Sequence, residues 1–223
     1  MLIGLAGLVV WVGLSWLIDL PILAVPGALL FGALLTFFRD PDRVIPAGPG
    51  LVLSAADGRV TDVQRVENHP LVGGPAVRIS VFLSVASVHV NRSPCAGRVV
   101  DTTLREGLYL DARDRDCADK NACNTITLAP DGPLAGPVIV RQLAGKIARR
   151  IVCNVSGGDR LEAGQKLGMI KFGSRTDVIV REQAGLEVVA RVGQKVHGGS
   201  SILARMVAVQ AVSGAPAGAG ARQ

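Results

Sequence analysis

Gly158-Asp159-Arg160-Leu161-Glu162-Ala163-Gly164 is a short stretch bracketed by glycines, and Val192-Gly193-Gln194-Lys195-Val196-His197-Gly198-Gly199 repeats its outline nearer the C-terminus. Glycine at a hairpin corner supplies the positive φ at which a bulkier residue would clash. A second weak repeat pairs Asp57-Gly58-Arg59-Val60 with Ala96-Gly97-Arg98-Val99. Around these markers, runs rich in Val, Ile and Leu at 51–53, 59–66, 76–83, 98–104, 124–128 and 137–141 alternate with Gly, Pro, Asp and Asn. That is the texture of strands joined by turns. Residues 141–152 (RQLAGKIARRIV) read equally as a short helix or a strand.

The chain has 223 residues, of which 49% are hydrophobic and 4% aromatic, with 27 Gly and 12 Pro. It is too apolar for a disordered chain and too rich in Gly and Pro for a coiled coil. The expected fold is mainly β (α+β), with a β core over residues 39–212. Glycine corners of this kind recur in compact barrel-sandwich folds, so the core is expected to be similar to the biotinyl/lipoyl-type folds. The tail 213–223 (SGAPAGAGARQ) is of low complexity and is expected to be disordered.

Residues 1–38 carry one ionisable side chain, Asp19. Two apolar runs, 2–18 and 22–38, flank Asp19-Leu20-Pro21. As helices, each would span roughly 26 Å, slightly less than a hydrocarbon core of ~30 Å. A secretory signal is disfavoured, because no basic n-region precedes the first run and apolar sequence resumes after Pro21. Two short spanning helices, a shallow hairpin in one leaflet and a helical pair buried in a soluble fold remain open. A membrane-associated helical hairpin over 1–38 is the expectation. Arg39 and Arg43 follow at once and put the body on the cytoplasmic face of a cell membrane.

The formal net charge is +6. This excess suits an anionic lipid surface and equally serves solubility. Nucleic acid is disfavoured, since zinc-finger spacing, an RNP-type motif and a dense Lys/Arg run are all missing. The cysteines Cys95, Cys117, Cys123 and Cys153 form no C-x-x-C pair, and only His69, His89 and His197 could join them. No metal site is expected, and free thiols are expected before disulfides.

Four segments carry potential chemistry: Ala55-Ala56-Asp57-Gly58-Arg59-Val60; Phe82-Leu83-Ser84 through Val88-His89-Val90-Asn91-Arg92-Ser93-Pro94; Gln142-Leu143-Ala144-Gly145 through Ala148-Arg149-Arg150; and Lys171-Phe172-Gly173-Ser174-Arg175-Thr176-Asp177. Each alone is weak. Their order, together with the FFRDPDR stretch at 37–43, resembles the short form of the phosphatidylserine decarboxylases from about Phe37 to Met206.

The resemblance implies a self-processing enzyme that cuts its chain at Gly173–Ser174 into pieces 1–173 and 174–223, which stay associated. The residue types suit that chemistry. The Ser174 hydroxyl is placed to attack the preceding carbonyl in an N→O acyl shift, and Gly173 leaves the attack unobstructed. Elimination from the ester and loss of ammonia would leave a pyruvoyl group, the implied cofactor, derived from Ser174. Its ketone would take the substrate amine as a Schiff base and act as the electron sink for loss of CO2, yielding phosphatidylethanolamine. Asp57 and His89 fall at the family's acid and first histidine. Long bacterial relatives carry a second histidine where this chain has Arg92, so His89 could serve self-cleavage, later proton transfer, or both.

The lipid phosphodiester needs cationic or N–H partners. Arg92, Lys171 and Arg175 are the substrate-binding candidates, with Arg149 and Arg150 weaker ones. Asn121 and Asn124 fall where short-form relatives carry an Asn-rich turn, and read as a polar loop stabilised by Asx turns rather than as site residues. His69 lies in a loop-like stretch beside Pro70, and His197 at a hairpin corner without a catalytic part. The expected partner is membrane phosphatidylserine. A homodimer is compatible with the family but specified by no residue pattern. The alternatives are a pyruvoyl decarboxylase of a soluble amino acid, which would have no use for the apolar N-terminus, and a non-catalytic carrier or binding module. The last would use Lys171, since Met169-Ile170-Lys171 resembles a carrier-lysine hairpin. A relative that binds lipid but has lost catalysis is a further option, against which the intact Ser174 argues.

Overall fold

A computed structural model describes residues 2–17, 22, 24–114, 116–147, 149–171 and 173–207. The expected bend at Asp19-Leu20-Pro21 and the tail 213–223 lie outside them. The two apolar runs form helices α1 (Leu2–Leu17) and α2 (Ala24–Phe37). Trp11 of α1 lies so close to Gly27 of α2 that a methyl group there would collide with the indole. Apolar side chains face outward elsewhere on the pair, with Trp16 71%, Leu17 83% and Leu29 69% exposed. No helix among the described residues is long and apolar enough to cross a membrane.

The remainder is mainly antiparallel β structure. The strands are β1 (Leu51–Leu53), β2 (Gly58–His69), β3 (Gly74–Leu83), β4 (Val90–Arg92), β5 (Gly97–Arg105), β6 (Cys123–Pro130) and β7 (Val138–Leu143), followed by β8 (Ile151–Cys153), β9 (Arg160–Leu161), β10 (Lys166–Ile170), β11 (Ser174–Arg181), β12 (Leu186–Val188), β13 (Lys195–Val196) and β14 (Ile202–Met206). A four-residue helix, α3 (Cys117–Lys120), precedes β6. One sheet has eight strands in the order β13-β2-β3-β11-β7-β6-β5-β9, and two three-stranded sheets run β1-β14-β12 and β4-β10-β8. The stretch 141–152 is no helix: it finishes β7, crosses a loop and enters β8. His69 ends β2 rather than lying in a loop.

The repeats visible in the sequence become an internal two-fold. Leu53 N donates to Pro94 O, while Arg92 N donates to Ala55 O. Ser54 Oγ donates to Ala56 O as Ser93 Oγ does to Cys95 O, both at 2.7 Å. Gly193 N bonds Val60 O, and Gly158 N bonds Val99 O. Strand β13 pairs with the start of β2 (Lys195 opposite Arg59), as β9 pairs with the start of β5 (Arg160 opposite Arg98). Both long strands carry a bulge at the same place, after Val60 and after Val99.

Strand β11 lies in the middle, between β3 and β7, and is buried along its length save Arg181. Val178 and Val180 face the main core with Val140, Ile126 and Val60, while Ile179 packs on the other face against Ile139 and Ala76. Burial of alternate branched residues on both faces is what a central strand requires. All four cysteines are free thiols. Burial pushes the Cys95 thiol up to about 12, which leaves it protonated and unreactive.

Candidate active site

The turn between β10 and β11 carries Gly173 in a left-handed conformation, φ +66°. A side chain there would meet nothing within 4 Å, so backbone conformation and not space favours glycine. Ser174 follows as the first residue of β11, opposite Leu83 of β3 and fully buried. Its Oγ has no hydrogen-bond partner among the described residues. A buried hydroxyl in that state costs roughly 1–3 kcal/mol, which a purely structural serine would have no reason to bear.

Gly145 closes over the same peptide. A Cβ at residue 145 would collide with the Gly173 carbonyl oxygen and lie 3.2 Å from its carbon. The approach is held from behind: Asn121 Nδ2 donates to Ala144 O at 2.8 Å, and Ala144 N donates to Ala122 O at 2.9 Å. Asn121 also bonds Leu110 N and O, so it is a buried, fully used amide and not a loop residue with a free head.

His89 sits beside the strand that leads into the turn, its carbonyl accepting from Ile170 N at 3.4 Å. Its ring is 1% exposed and lies against Phe37, the last residue of α2, with centroids 4.3 Å apart. Neither ring nitrogen has a partner among the described residues. Burial lowers its pKa from the ordinary 6.5, with the Ser87 backbone opposing and the Arg39 charge adding to the fall. That shift favours the neutral imidazole, in which one ring nitrogen carries a proton and the other can accept one.

Asp57 lies elsewhere in the hydrogen-bond scheme. Its carboxylate accepts from Arg43 Nη2 at 2.7 Å and Gly198 N at 2.8 Å, and contacts His197 Nδ1 at 3.2 Å. No hydrogen bond among the described residues joins Asp57, His89 and Ser174 to one another. His197 does occupy a hairpin corner, after β13, but its ring rests on Asp57, a partner 140 residues away in sequence that no local pattern could reveal.

Two of the three substrate-binding candidates are already engaged. Arg92 bonds Asp40 Oδ1 at 2.6 Å and Gly164 O at 3.1 Å. Arg175 is 5% exposed and bonds Asp177 Oδ1 at 2.6 Å and Ser80 Oγ at 2.7 Å, with Cys117 Sγ at 3.6 Å. Lys171 has no carboxylate partner among the described residues and stands 5.7 Å from the Phe38 ring centroid.

A buried amide chain runs beneath the site. Asn124 Nδ2 donates to Gln142 Oε1 at 2.9 Å, Gln142 Nε2 to Asn91 Oδ1 at 2.9 Å, and Asn91 Nδ2 to Thr176 Oγ1 at 3.0 Å. Thr176, Gln142 and Asn124 stand opposite one another on β11, β7 and β6, and β4 adds Asn91. Gln142 and Thr176 lie in two of the segments singled out in the sequence, but nothing there tells that they join Asn91 and Asn124 across four strands. No three His, Cys, Asp or Glu side chains among the described residues converge as a metal site.

Ser174 is thus a buried, unpartnered hydroxyl directly after a left-handed glycine, and His89 is a buried imidazole with neither ring nitrogen hydrogen-bonded among the described residues. Comparison with known proteins gives the chain a family. The family model described as phosphatidylserine decarboxylase matches residues 30–204. A phosphatidylserine decarboxylase proenzyme of Solibacter usitatus is 44% identical over 191 residues, 86% of this chain and 87% of the relative. Proenzymes of the same name from Symbiobacterium thermophilum and Gluconobacter oxydans are each 45% identical, over 81% and 77% of this chain and 83% and 76% of theirs. The chain belongs to the phosphatidylserine decarboxylase family, and it is a decarboxylase made as a proenzyme.

Proposed function

We propose that the chain converts phosphatidylserine to phosphatidylethanolamine and CO2 with a pyruvoyl group that it makes from Ser174 by breaking the Gly173–Ser174 bond. The observation that carries this reading is the buried Ser174 Oγ, unpartnered directly after a glycine at φ +66°. Oγ attacks the Gly173 carbonyl carbon, the C–N bond breaks, and the acyl group passes to oxygen. Neutral His89 takes the hydroxyl proton, as a base with a lowered pKa can at neutral pH. Elimination then leaves Gly173 as a carboxylate and residue 174 as dehydroalanine. Tautomerisation and water convert the latter to the keto group with release of ammonia.

The residues fit the group: Ser174 supplies its carbons, the buried start of β11 shelters it, and β3 and β7 hold it on both sides. Once formed, the pyruvoyl group would supply a ketone for the substrate amine and an electron sink for loss of CO2. His89, once protonated, returns the proton to the α-carbon. Asp57 accepts from Arg43 and contacts His197, so its part would be to hold that second imidazole in place.

The outward apolar side chains of α1 and α2 support attachment of residues 1–38 to a cell membrane as a helical hairpin, Arg39 and Arg43 favour its cytoplasmic face, and 39–212 would be the catalytic domain. The paired glycine corners support likeness of that domain to the biotinyl/lipoyl-type barrel sandwiches. Intact-mass analysis of the purified protein tests the reading. Two chains, split between 173 and 174, with the smaller one blocked to Edman degradation and CO2 released from phosphatidylserine, are expected. An active preparation that remains one unbroken chain would refute it.

A further inference from the structure

The internal two-fold offers a comparison between equivalent positions of one scaffold. In the second half, Arg160 stands opposite Arg98, and its charge is met by Asp131 at 2.9 Å. In the first half, Lys195 stands opposite Arg59 in the same way. Arg98 faces Ala129 across the hairpin and Arg59 faces Phe82, so the position equivalent to Asp131, two residues on, is Ser84. A hydroxyl stands where the other half has a carboxylate, and neither Lys195 nor Arg59 forms an ion pair among the described residues.

These side chains line a cavity of about 390 Å³ with Arg39, which likewise lacks a carboxylate partner among the described residues. Arg39 follows α2 at the foot of the apolar hairpin and donates to Thr36 O and Ala86 O at 2.7 Å each. Asp57 also lines the cavity, but Arg43 at 2.7 Å offsets its charge. The wall reaches the reacting residues: Ser84 adjoins Leu83, which faces Ser174, and Ser87 and Val88 lead directly to His89. Uncompensated cations around a concave site with hydroxyl donors attract an oxyanion.

We infer that this cavity is the phosphodiester site, with Arg59 and Lys195 holding the anion, Ser84 donating from its hydroxyl, and Arg39 at the side of the hairpin. The assignment rests on the reading of the chain as an enzyme of phosphatidylserine, and names where the head group of that lipid is held. It gives the phosphate to residues other than Arg92 and Arg175, whose charges are spent on Asp40 and Asp177.

The test uses the full-length, self-cleaved enzyme in detergent micelles. The double variant Arg59→Gln/Lys195→Gln is compared with Arg98→Gln/Arg160→Gln, which removes the same charge from the equivalent places of the other half. Intact mass first shows that both variants cut themselves as the parent does. The first variant is expected to raise KM for phosphatidylserine by about tenfold, the scale of one lost charge-assisted hydrogen bond, with a smaller change in kcat. It is also expected to weaken competitive inhibition by glycerophosphoserine by a similar factor, while the second variant stays within about twofold of the parent. An unchanged KM in the first variant, or equal shifts in both, would overturn the assignment. Inorganic phosphate competing as well as glycerophosphoserine would identify free phosphate as the ligand and overturn the head-group assignment. Failure of the parent enzyme to release CO2 would count against the reaction itself and is read separately in the same preparation.

Discussion

Gly145 lies against the carbonyl of Gly173, near enough that any side chain at 145 would occupy the space of that oxygen. The two residues are brought together because β7 and β11 are antiparallel neighbours, so the loop that leaves β7 meets the turn that enters β11. A carbonyl about to become tetrahedral needs its flank fixed and uncrowded.

Gly145→Ala is therefore expected to slow self-cleavage by an order of magnitude or more. Overpacking costs about 1–3 kcal/mol, so a folded, largely uncut chain should accumulate. Timing the appearance of the two chains by mass spectrometry checks this, and cleavage at the parent rate would contradict it.

Ser174→Ala should abolish both cleavage and CO2 release. It should not destabilise the uncut chain, because it removes a buried hydroxyl without a partner; denaturant unfolding should give equal or greater stability, by up to ~1–3 kcal/mol. A clear loss of stability would mean that Oγ makes a bond the native chain depends on.

For His89 the sign follows from burial. Its pKa is lowered below 6.5 in the fold, so the unfolded chain binds the proton first and the group weakens the fold as pH drops below about 6.5. Above that pH the imidazole is neutral in both states and contributes no pH dependence. The acid limb of self-cleavage should accordingly fall below pH 6.5, and His89→Ala should lose turnover. A limb at higher pH, or normal turnover in the variant, would remove His89 from the mechanism.

Gln142→Leu should orphan the donor of Asn124 and the acceptor of Asn91 together. Each lost partner costs roughly 1–3 kcal/mol. Urea unfolding in the Ser174→Ala background measures it without interference from cutting. A loss below about 1 kcal/mol would show that water or rearrangement replaces the chain of amides.

Deleting residues 1–36 should weaken binding to phospholipid vesicles more than turnover of a dispersed substrate, because Trp16, Leu17 and Leu29 leave with them. Flotation of the truncated and whole chains with vesicles decides it, and equal binding would contradict the anchor.

Much of the fold was legible because strand formation here is local. The run at 51–53 coincides with β1, and those at 59–66 and 76–83 fall within β2 and β3, each bounded by Gly, Pro or Ser. The region 141–152 was not legible, since its apolar ends belong to strands of two different sheets. In the site, Gly173 and Ser174 stood out through the order and company of four segments, since a Gly-Ser pair alone also occurs at Gly199-Ser200. The contact of Asp57 with His197 could not be read, and neither could the amide chain, whose four members come from four strands. The repeat between residues 158–164 and 192–199 was visible, but which half lacks the countercharge emerged only from the pairing of Arg160 with Asp131.

The central place of β11 bears on what a break ahead of it would do. A ribbon clipped at the margin of a sheet can peel away. One clipped at the head of its innermost ribbon stays laced to neighbours on the left and the right. A scission before Ser174 would thus create a new chain end without freeing it, and the precursor would serve as the mould in which its own product is held.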